Sequence, residues 1–235
     1  GQMKFPICAG EGSNTAAFDG NGWKLDTNMK YAAYYPVNDK ALKDLKPGTE
    51  IPVSYRGQKQ MANGSTSHLG KYDYMVATSM SPSGNSINFD FKHVGSILCL
   101  DLPINAEMAG TFTKLSLVAS EPLFTNSATL NVFNGELTPV ALGATVSMDL
   151  SNISVSANGT LKAWMMIAPA DLSGKTLKIF LEDKDGKEYK ITDIQGSNFM
   201  AEKAYRLSRG SSSFSEVTYA ELIDGRSFNM AIKSL

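Results

Sequence analysis

The sequence predicts an all-β protein whose strands form β-sandwiches. Short runs of alternating apolar and polar residues recur roughly every 10–15 residues, which is typical of the strands of a sandwich. Turns rich in glycine and proline separate these runs, and almost no segment has the spacing of an amphipathic helix. A chain of 235 residues has room for one large β domain or for two smaller ones.

The stretch from Ile87 to Leu100 organises the rest of the chain. Its alternating residues lie on one face of a strand, because side chains in a strand repeat every second residue. This face carries Ile87, Phe89, Phe91, His93, Ile97 and Cys99. Strands usually have about 5–6 residues, so we expect this one to bend, and Gly95 is the residue where a bend is easiest.

If this strand is the last strand of a first set of strands, the chain consists of two domains and a tail. The first domain then spans 1–103, with a hinge at Asp101–Pro103, and the second spans 104–210. Residues 211–235 form a tail or linker. If the strand is instead the first of the second domain, the boundary moves back to Ser81–Gly84.

The first set of strands also includes four shorter runs, at 23–25, 30–36, 51–55 and 72–77. Pro52 has no backbone donor, so its strand is an edge strand or begins there. Residues 57–70 are polar and rich in glycine, which predicts a long loop. Residues 39–46 have the pattern of one or two helical turns, with Asp39 as the cap.

The second set of strands continues to Leu207, with alternating runs at 115–119, 130–132, 146–150, 161–167, 177–181, 189–191 and 205–207. The run at 161–167 is apolar on both faces, which indicates a central strand or a domain contact. Asp185–Gly186 between two alternating runs predicts a hairpin. Residues 211–213 resemble a linker, and the last eight residues have helical spacing.

Composition excludes several classes of partner. A net charge of −1 gives no electrostatic reason to expect nucleic acid or an anionic membrane. No apolar run is long enough to span a bilayer. Cys8 and Cys99 do not form a metal or redox motif, and the apolar surroundings of Cys99 favour a buried free thiol over a disulfide with Cys8.

No residue pattern predicts catalysis, a cofactor or a metal site, and no ligand-binding residue can be named. The two histidines are far apart: we expect His68 to be solvated in a loop and His93 to be half-buried and hydrogen-bonded. Asp183–Gly186 begins like a calcium loop, but its twelfth position is Ile194 instead of Glu, so a hairpin turn explains it better. Gly10 and Gly12 lack the third glycine of a dinucleotide-binding loop.

Aromatic residues leave one alternative function open. Trp23, Tyr34 and Trp164 could stack against sugar rings in a surface carbohydrate-binding module. Packing in the core is the simpler interpretation of all three. Exposure of the rings in the structure distinguishes the two hypotheses.

Four stretches together resemble the Bacteroidales fimbrillin family, which includes the Mfa-like and related fimbrial subunits. They are Tyr31–Pro36, His68–Ala77, Phe89–Ser96 and Met165–Leu172 with the strands that follow it through Ser208. The resemblance implies two tandem β-sandwiches, the second of them transthyretin-like. It also implies export as a lipoprotein precursor to the cell surface at the outer membrane, with a lipid anchor as the only membrane contact.

Members of this family serve as stalk, anchor or tip subunits of fimbriae. The resemblance implies that other fimbrial subunits are partners through donor-strand exchange, with a groove in the N-terminal sandwich, and that host or bacterial surface ligands are further partners. Stalk subunits are cut after an arginine that follows the first strand, whereas no arginine precedes Arg56 here. This difference favours a tip, anchor, accessory or adhesin role, without enzymatic activity.

Overall fold

The computed structural model describes residues 7–9, 17–18, 24–36 and 50–217, and this part of the chain confirms the all-β sandwich prediction. Its only helical segment is a 3-10 turn at Leu69–Lys71. The strands are β1 (Ile7–Ala9), β2 (Ala17–Phe18), β3 (Tyr31–Tyr35), β4 (Glu50–Ser54), β5 (Gln58–Lys59), β6 (Met75–Met80), β7 (Lys92–His93), β8 (Ser96–Pro103), β9 (Gly110–Val118), β10 (Phe124–Asn131), β11 (Leu137–Gly143), β12 (Thr145–Val155), β13 (Thr160–Ile167), β14 (Ala170–Asp171), β15 (Thr176–Asp183), β16 (Glu188–Gln195), β17 (Asn198–Phe199), β18 (Ala204–Leu207) and β19 (Phe214–Val217).

A four-stranded sheet with the order β13-β8-β18-β19 forms the middle layer of the protein. β8 pairs antiparallel with β13 and parallel with β18. Its alternate residues enter different cores: Leu98 and Leu100 contribute to one, and Ile97 and Cys99 contribute to the other. β13 is also buried on both faces, as its two apolar faces predict, but it is the edge strand of this sheet, so the prediction of a central position at 161–167 is wrong.

The first core lies between this middle sheet and a five-stranded sheet with the order β16-β15-β9-β12-β5. The outer sheet alternates between buried and exposed residues, as expected for strands with one face in water. Leu115, Leu117, Ile179 and Leu181 point inward and are fully buried. Burying each such side chain contributes about 1.5–3 kcal/mol to folding.

The second core lies on the opposite face of the middle sheet. Two small sheets, with the orders β11-β10-β4 and β3-β6-β7, cover that face. Val53 and Leu130 from the first of these sheets, together with Tyr34 from the second, pack in one cluster with Trp164 and Met166 of β13. The described residues therefore form three layers, and the middle one separates two cores.

The organising stretch is divided into two strands. Its alternation persists, because Ile87, Phe89 and Phe91 are partly buried while the residues between them are exposed. Regular pairing starts only at β7, so the prediction of one strand from residue 87 is wrong. The predicted bend at Gly95 is confirmed between β7 and β8. A Cβ there would lie 3.0 Å from the Ile167 carbonyl oxygen, so the close approach of two strands favours glycine.

Strand pairs connect the two sides of residue 103. β4 and β5 precede it and pair with β10 and β12, which follow it. β8 ends at residue 103 and pairs with β13 and β18, both of which come later in the chain. The division into domains stays a prediction. β4 and β5 pair across either boundary, whereas the pairings of β8 favour the alternative form, so we propose that β8 belongs to the second sandwich and that the boundary lies at Ser81–Gly84.

Other sequence predictions had mixed outcomes. The strands at 30–36, 51–55 and 72–77 are present with slightly shifted ends, whereas residues 24 and 25 form no strand. The hairpin at Asp185–Gly186 is confirmed: β15 pairs with β16, and Gly186 has a φ of 79°. Cys99 is a buried free thiol, as expected.

The C-terminal segment begins with structure instead of a linker. Ser213 bridges to Gln195, and β19 then pairs with β18 at the edge of the middle sheet. The helical turns predicted at 39–46 and 228–235 lie outside the described residues, as do Trp23, Gly10 and Gly12.

Candidate interaction surface

Within the described ranges, no cluster of three or more His, Cys, Asp or Glu side chains could hold a metal ion. One surface cavity of about 340 Å³ is lined by Ala119, Gly174, Lys175 and their neighbours. Lys175 forms an exposed ion pair with Glu121, at 2.6 Å. An exposed pair of this kind is typical of surface stabilisation and does not indicate a catalytic acid and base.

His93 holds its strand in place, as the sequence predicts for a half-buried, hydrogen-bonded histidine. Its Nδ1 lies 2.6 Å from Oδ1 of Asp73, whose side chain is 3% exposed. Asp73 follows the 3-10 turn, and its N–H donates to the Leu69 carbonyl at 2.9 Å. Burial raises the pKa of Tyr35, and the negative charge of Asp73 raises it further. Asp73 therefore connects β7 to the 3-10 turn, and its charge also acts on Tyr35 of β3.

His68 differs from its prediction, because it is partly buried instead of solvated. Its Nε2 lies 2.9 Å from the Trp164 carbonyl oxygen, so this nitrogen carries the proton and donates it. Burial lowers the pKa of His68, and the bond to Trp164 partly opposes this effect. The loop that carries His68 folds back onto β13, a contact that local sequence does not reveal.

Two of the three aromatic residues proposed for sugar stacking are buried. Tyr34 and Trp164 are each 3% exposed and belong to the second core. Their rings cannot stack against a ligand without unfolding of that core. The third candidate, Trp23, lies outside the described residues.

The candidate interaction surface is β11, which contains no charged residue and is an edge strand among the strands that the structure describes. Val140 is 67% exposed and Leu142 is 56% exposed, although the paired strand β10 is largely buried. Apolar side chains at this exposure on an edge strand are typical of contact sites, because the strand can also offer its backbone groups. The sequence signal is the uncharged run at Leu137–Gly143, which was not identified as an edge strand from the sequence alone.

Proline limits which backbone groups this three-stranded sheet offers. The Asn131 N–H donates to the Glu136 carbonyl at 2.9 Å, so these two residues form a hydrogen-bonded pair. Because such pairs alternate along an antiparallel ladder, the nitrogen of Pro139 faces away from its neighbour Ala128 and towards the free edge. A strand that adds to β11 can therefore bond at Leu137 but receives no donor from Pro139.

The opposite edge of the same sheet has the same feature. The Tyr55 N–H donates to the Asn126 carbonyl at 3.1 Å, and counting along the ladder places Pro52 of β4 in a pair that is not hydrogen-bonded. Its nitrogen faces outward, which confirms the prediction of an edge strand. β4 buries its apolar side chains and exposes only Glu50 and Pro52, so β11 is the more accessible edge.

A family model described as fimbrillin-like matches residues 4–213. Two crystal structures of candidate cell adhesion proteins share the fold. For the protein from Bacteroides uniformis, the TM-score is 0.57 at 18% identity, covering 89% of this chain and 82% of that one. For the protein from Bacteroides ovatus, the TM-score is 0.53 at 18% identity, covering 79% of this chain and 65% of that one.

No curated protein sequence matches the chain. In the part of the chain that the structure describes, no helix is long and apolar enough to cross a bilayer.

Proposed function

The chain belongs to the fimbrillin-like family, and we propose that it is an accessory, anchor or tip subunit of a fimbrium, or an adhesin, that joins other subunits by β-strand addition. As a member of this family it is a fimbrial or adhesion-type surface protein. The finer role includes export as a lipoprotein precursor, a lipid anchor at the outer membrane, and host or bacterial surface ligands. These elements rest on the family resemblance.

The exposed apolar edge of β11 is the observation that supports strand addition. In this mode of binding, backbone hydrogen bonds supply affinity and alternate side chains supply specificity. Leu137 offers both of its backbone groups, and Val140 and Leu142 offer exposed apolar area. We propose that β11 accepts an extended strand of a neighbouring subunit.

A pair of lysines on this strand tests the proposal. Val140→Lys with Leu142→Lys places two charges where an incoming strand would pack, while Met29→Lys changes another exposed apolar side chain and is the matched control. Each variant is expressed with fimbrial subunits in a host that lacks its own copy, and its number per fimbrium is counted by immunogold electron microscopy. We expect the double variant to label fimbriae at least tenfold less than the wild type, with an unchanged melting temperature.

Two results would contradict different parts of the proposal. Wild-type protein that is absent from fimbriae refutes the fimbrial role. Equal labelling by the double variant and the Met29→Lys control leaves the fimbrial role intact but removes β11 from it.

Limited proteolysis followed by size-exclusion chromatography separates an accessory role from a stalk role. Stalk subunits polymerise after loss of an N-terminal strand, and the candidate cut sites here are Lys4, Lys24 and Lys30. We expect the cut chain to remain monomeric. Polymers that form after a cut at one of these lysines would show a stalk subunit.

A further inference from the structure

The outer edge of β13 is covered mainly by side chains instead of by another strand, and the Gly64 N–H adds one backbone bond to the Lys162 carbonyl at 2.9 Å. β13 pairs with β8 on one side. On its other side, the backbone groups of Lys162, Trp164 and Met166 face the segment 58–68. Three side-chain amides of that segment, those of Gln58, Gln60 and Asn63, contact this edge in order, and we call them the amide ladder.

Gln58 and Gln60 bond to β13 as a neighbouring strand would. Oε1 of Gln58 accepts the Met166 N–H, and its Nε2 donates to the Met166 carbonyl, both at 2.7 Å. Oε1 of Gln60 accepts the Trp164 N–H at 2.9 Å, and its Nε2 donates to the Lys162 carbonyl at 2.8 Å. The two side chains are 1% and 0% exposed, so water cannot replace these bonds.

Asn63 and His68 complete the cover. Oδ1 of Asn63 accepts the Lys162 N–H at 2.8 Å, and its Nδ2 donates to the Thr160 carbonyl at 2.9 Å. Nε2 of His68 donates to the Trp164 carbonyl, the one outward group of that residue that the ladder does not reach. Each amide both donates and accepts, so reversing any of them would place its NH₂ against a backbone N–H.

The reason for side-chain amides lies in the position of segment 58–68 between two sheets. The backbone of β5 pairs in parallel with β12 at the edge of the five-stranded sheet, and the Gln60 N–H adds a bond to the Asp149 carbonyl at 2.8 Å. A backbone can pair with only one of two sheets that lie about 10 Å apart. Glutamine side chains carry the same N–H and C=O groups as a peptide, so they can reach the second sheet.

We propose that the amide ladder acts as a strand mimic that closes the β13 edge of the middle sheet to strands of other chains, a second copy of this chain included. An open edge here would be a strong site for association, because β13 carries apolar side chains on both faces, Trp164 and Met166 among them. Unpaired sheet edges are templates for pairing with another chain. The ladder satisfies the edge without adding a strand, which leaves the middle sheet closed on this side.

Gln60→Met tests the proposal, because Met keeps the length of the side chain and removes its hydrogen bonds. The matched control is Gln195→Met, which makes the same change on the exposed edge strand β16. The measurements are residue-resolved amide hydrogen exchange and light scattering after size-exclusion chromatography over a series of protein concentrations. We expect the Trp164 amide to exchange at least tenfold faster in Gln60→Met and the variant to associate as its concentration rises, while the control behaves like the wild type.

Asn63→Leu provides a second test at the solvent-exposed end of the ladder, where folding tolerates substitution. Its readout is the exchange of the Lys162 amide, again with the association state. This variant gives the result if Gln60→Met does not fold. Two results with folded variants would overturn the proposal. In the first, the edge amides remain protected from exchange. In the second, the edge amides exchange rapidly but the protein stays monomeric at every concentration.

Discussion

Replacing Gln58 by Met removes three hydrogen bonds from a site that water does not reach. Nε2 of Gln58 donates to the carbonyls of Tyr55 and Met166, at 2.8 and 2.7 Å, and Oε1 accepts the Met166 N–H at 2.7 Å. Met has nearly the same length, so the change leaves volume and packing almost unaltered. The loss of stability therefore reports the lost hydrogen bonds, less the gain from burying an apolar side chain.

The size of this loss follows from the three backbone groups that each lose a hydrogen bond to Gln58. They are the N–H of Met166, the C=O of Met166 and the C=O of Tyr55. Each buried group that loses its partner costs about 1–3 kcal/mol. The apolar side chain of Met offsets about 1 kcal/mol of this through burial. We expect the free energy of unfolding to fall by about 2–8 kcal/mol, a large share of the ~5–15 kcal/mol typical of a domain.

Urea unfolding followed by tryptophan fluorescence measures this difference, since Trp164 lies on the same strand as Met166. Gln195→Met is the control, and we expect it to remain within about 0.5 kcal/mol of the wild type, because its side chain is exposed. A loss below about 1 kcal/mol for Gln58→Met, with the control unchanged, would refute the reasoning. It would mean that the edge groups find other partners.

Three further predictions concern single residues. Folding lowers the pKa of His68. The protein should therefore lose stability as the pH falls below about 6.5, the pKa of histidine in the unfolded chain. The variant His68→Gln should make the pH dependence of the melting temperature shallower. Burial, and after it the charge of Asp101, raises the pKa of Cys99 to about 11. Peptide mapping should therefore find Cys99 unmodified by iodoacetamide at pH 8 until urea unfolds the chain. Modification in the folded state would contradict this. Gly95→Ala should lower the free energy of unfolding by about 1–3 kcal/mol, since its Cβ would press on the Ile167 carbonyl. If chemical denaturation shows no loss of stability, β13 moves aside without strain.

The sequence predicted the strands better than it predicted their partners. Alternation at 177–181 and 189–191 with Asp185–Gly186 between them located a hairpin correctly, because all of that information is local. Apolar residues on both faces of 161–167 predicted burial on both faces for the same reason, but they did not show that β13 lies at the edge of its sheet. The pairing of β8 with β13 and β18 could not be predicted, since strand pairing across distant segments leaves no local pattern.

Residues in the polar segment 57–70 were the hardest to interpret. Its composition is that of a loop, and most of its backbone is indeed irregular. Gln58 and Gln60 are nevertheless fully buried, and His68 donates to β13 from a position predicted to be solvated. A buried glutamine in such a segment is recognisable only when its partner is known, because hydrophobicity scales place glutamine on the surface.

By itself the sequence determined the class of fold, the family, the bend at Gly95 and the edge position of Pro52. The family follows from the resemblance of four stretches. The other three follow from side-chain periodicity, from backbone freedom and from a missing donor, all of which act within a few residues. Only the tertiary structure decided that two cores share one sheet and that an amide ladder covers β13. Gln58 and Met166 are 108 residues apart in the chain, and they meet only because three layers pack together.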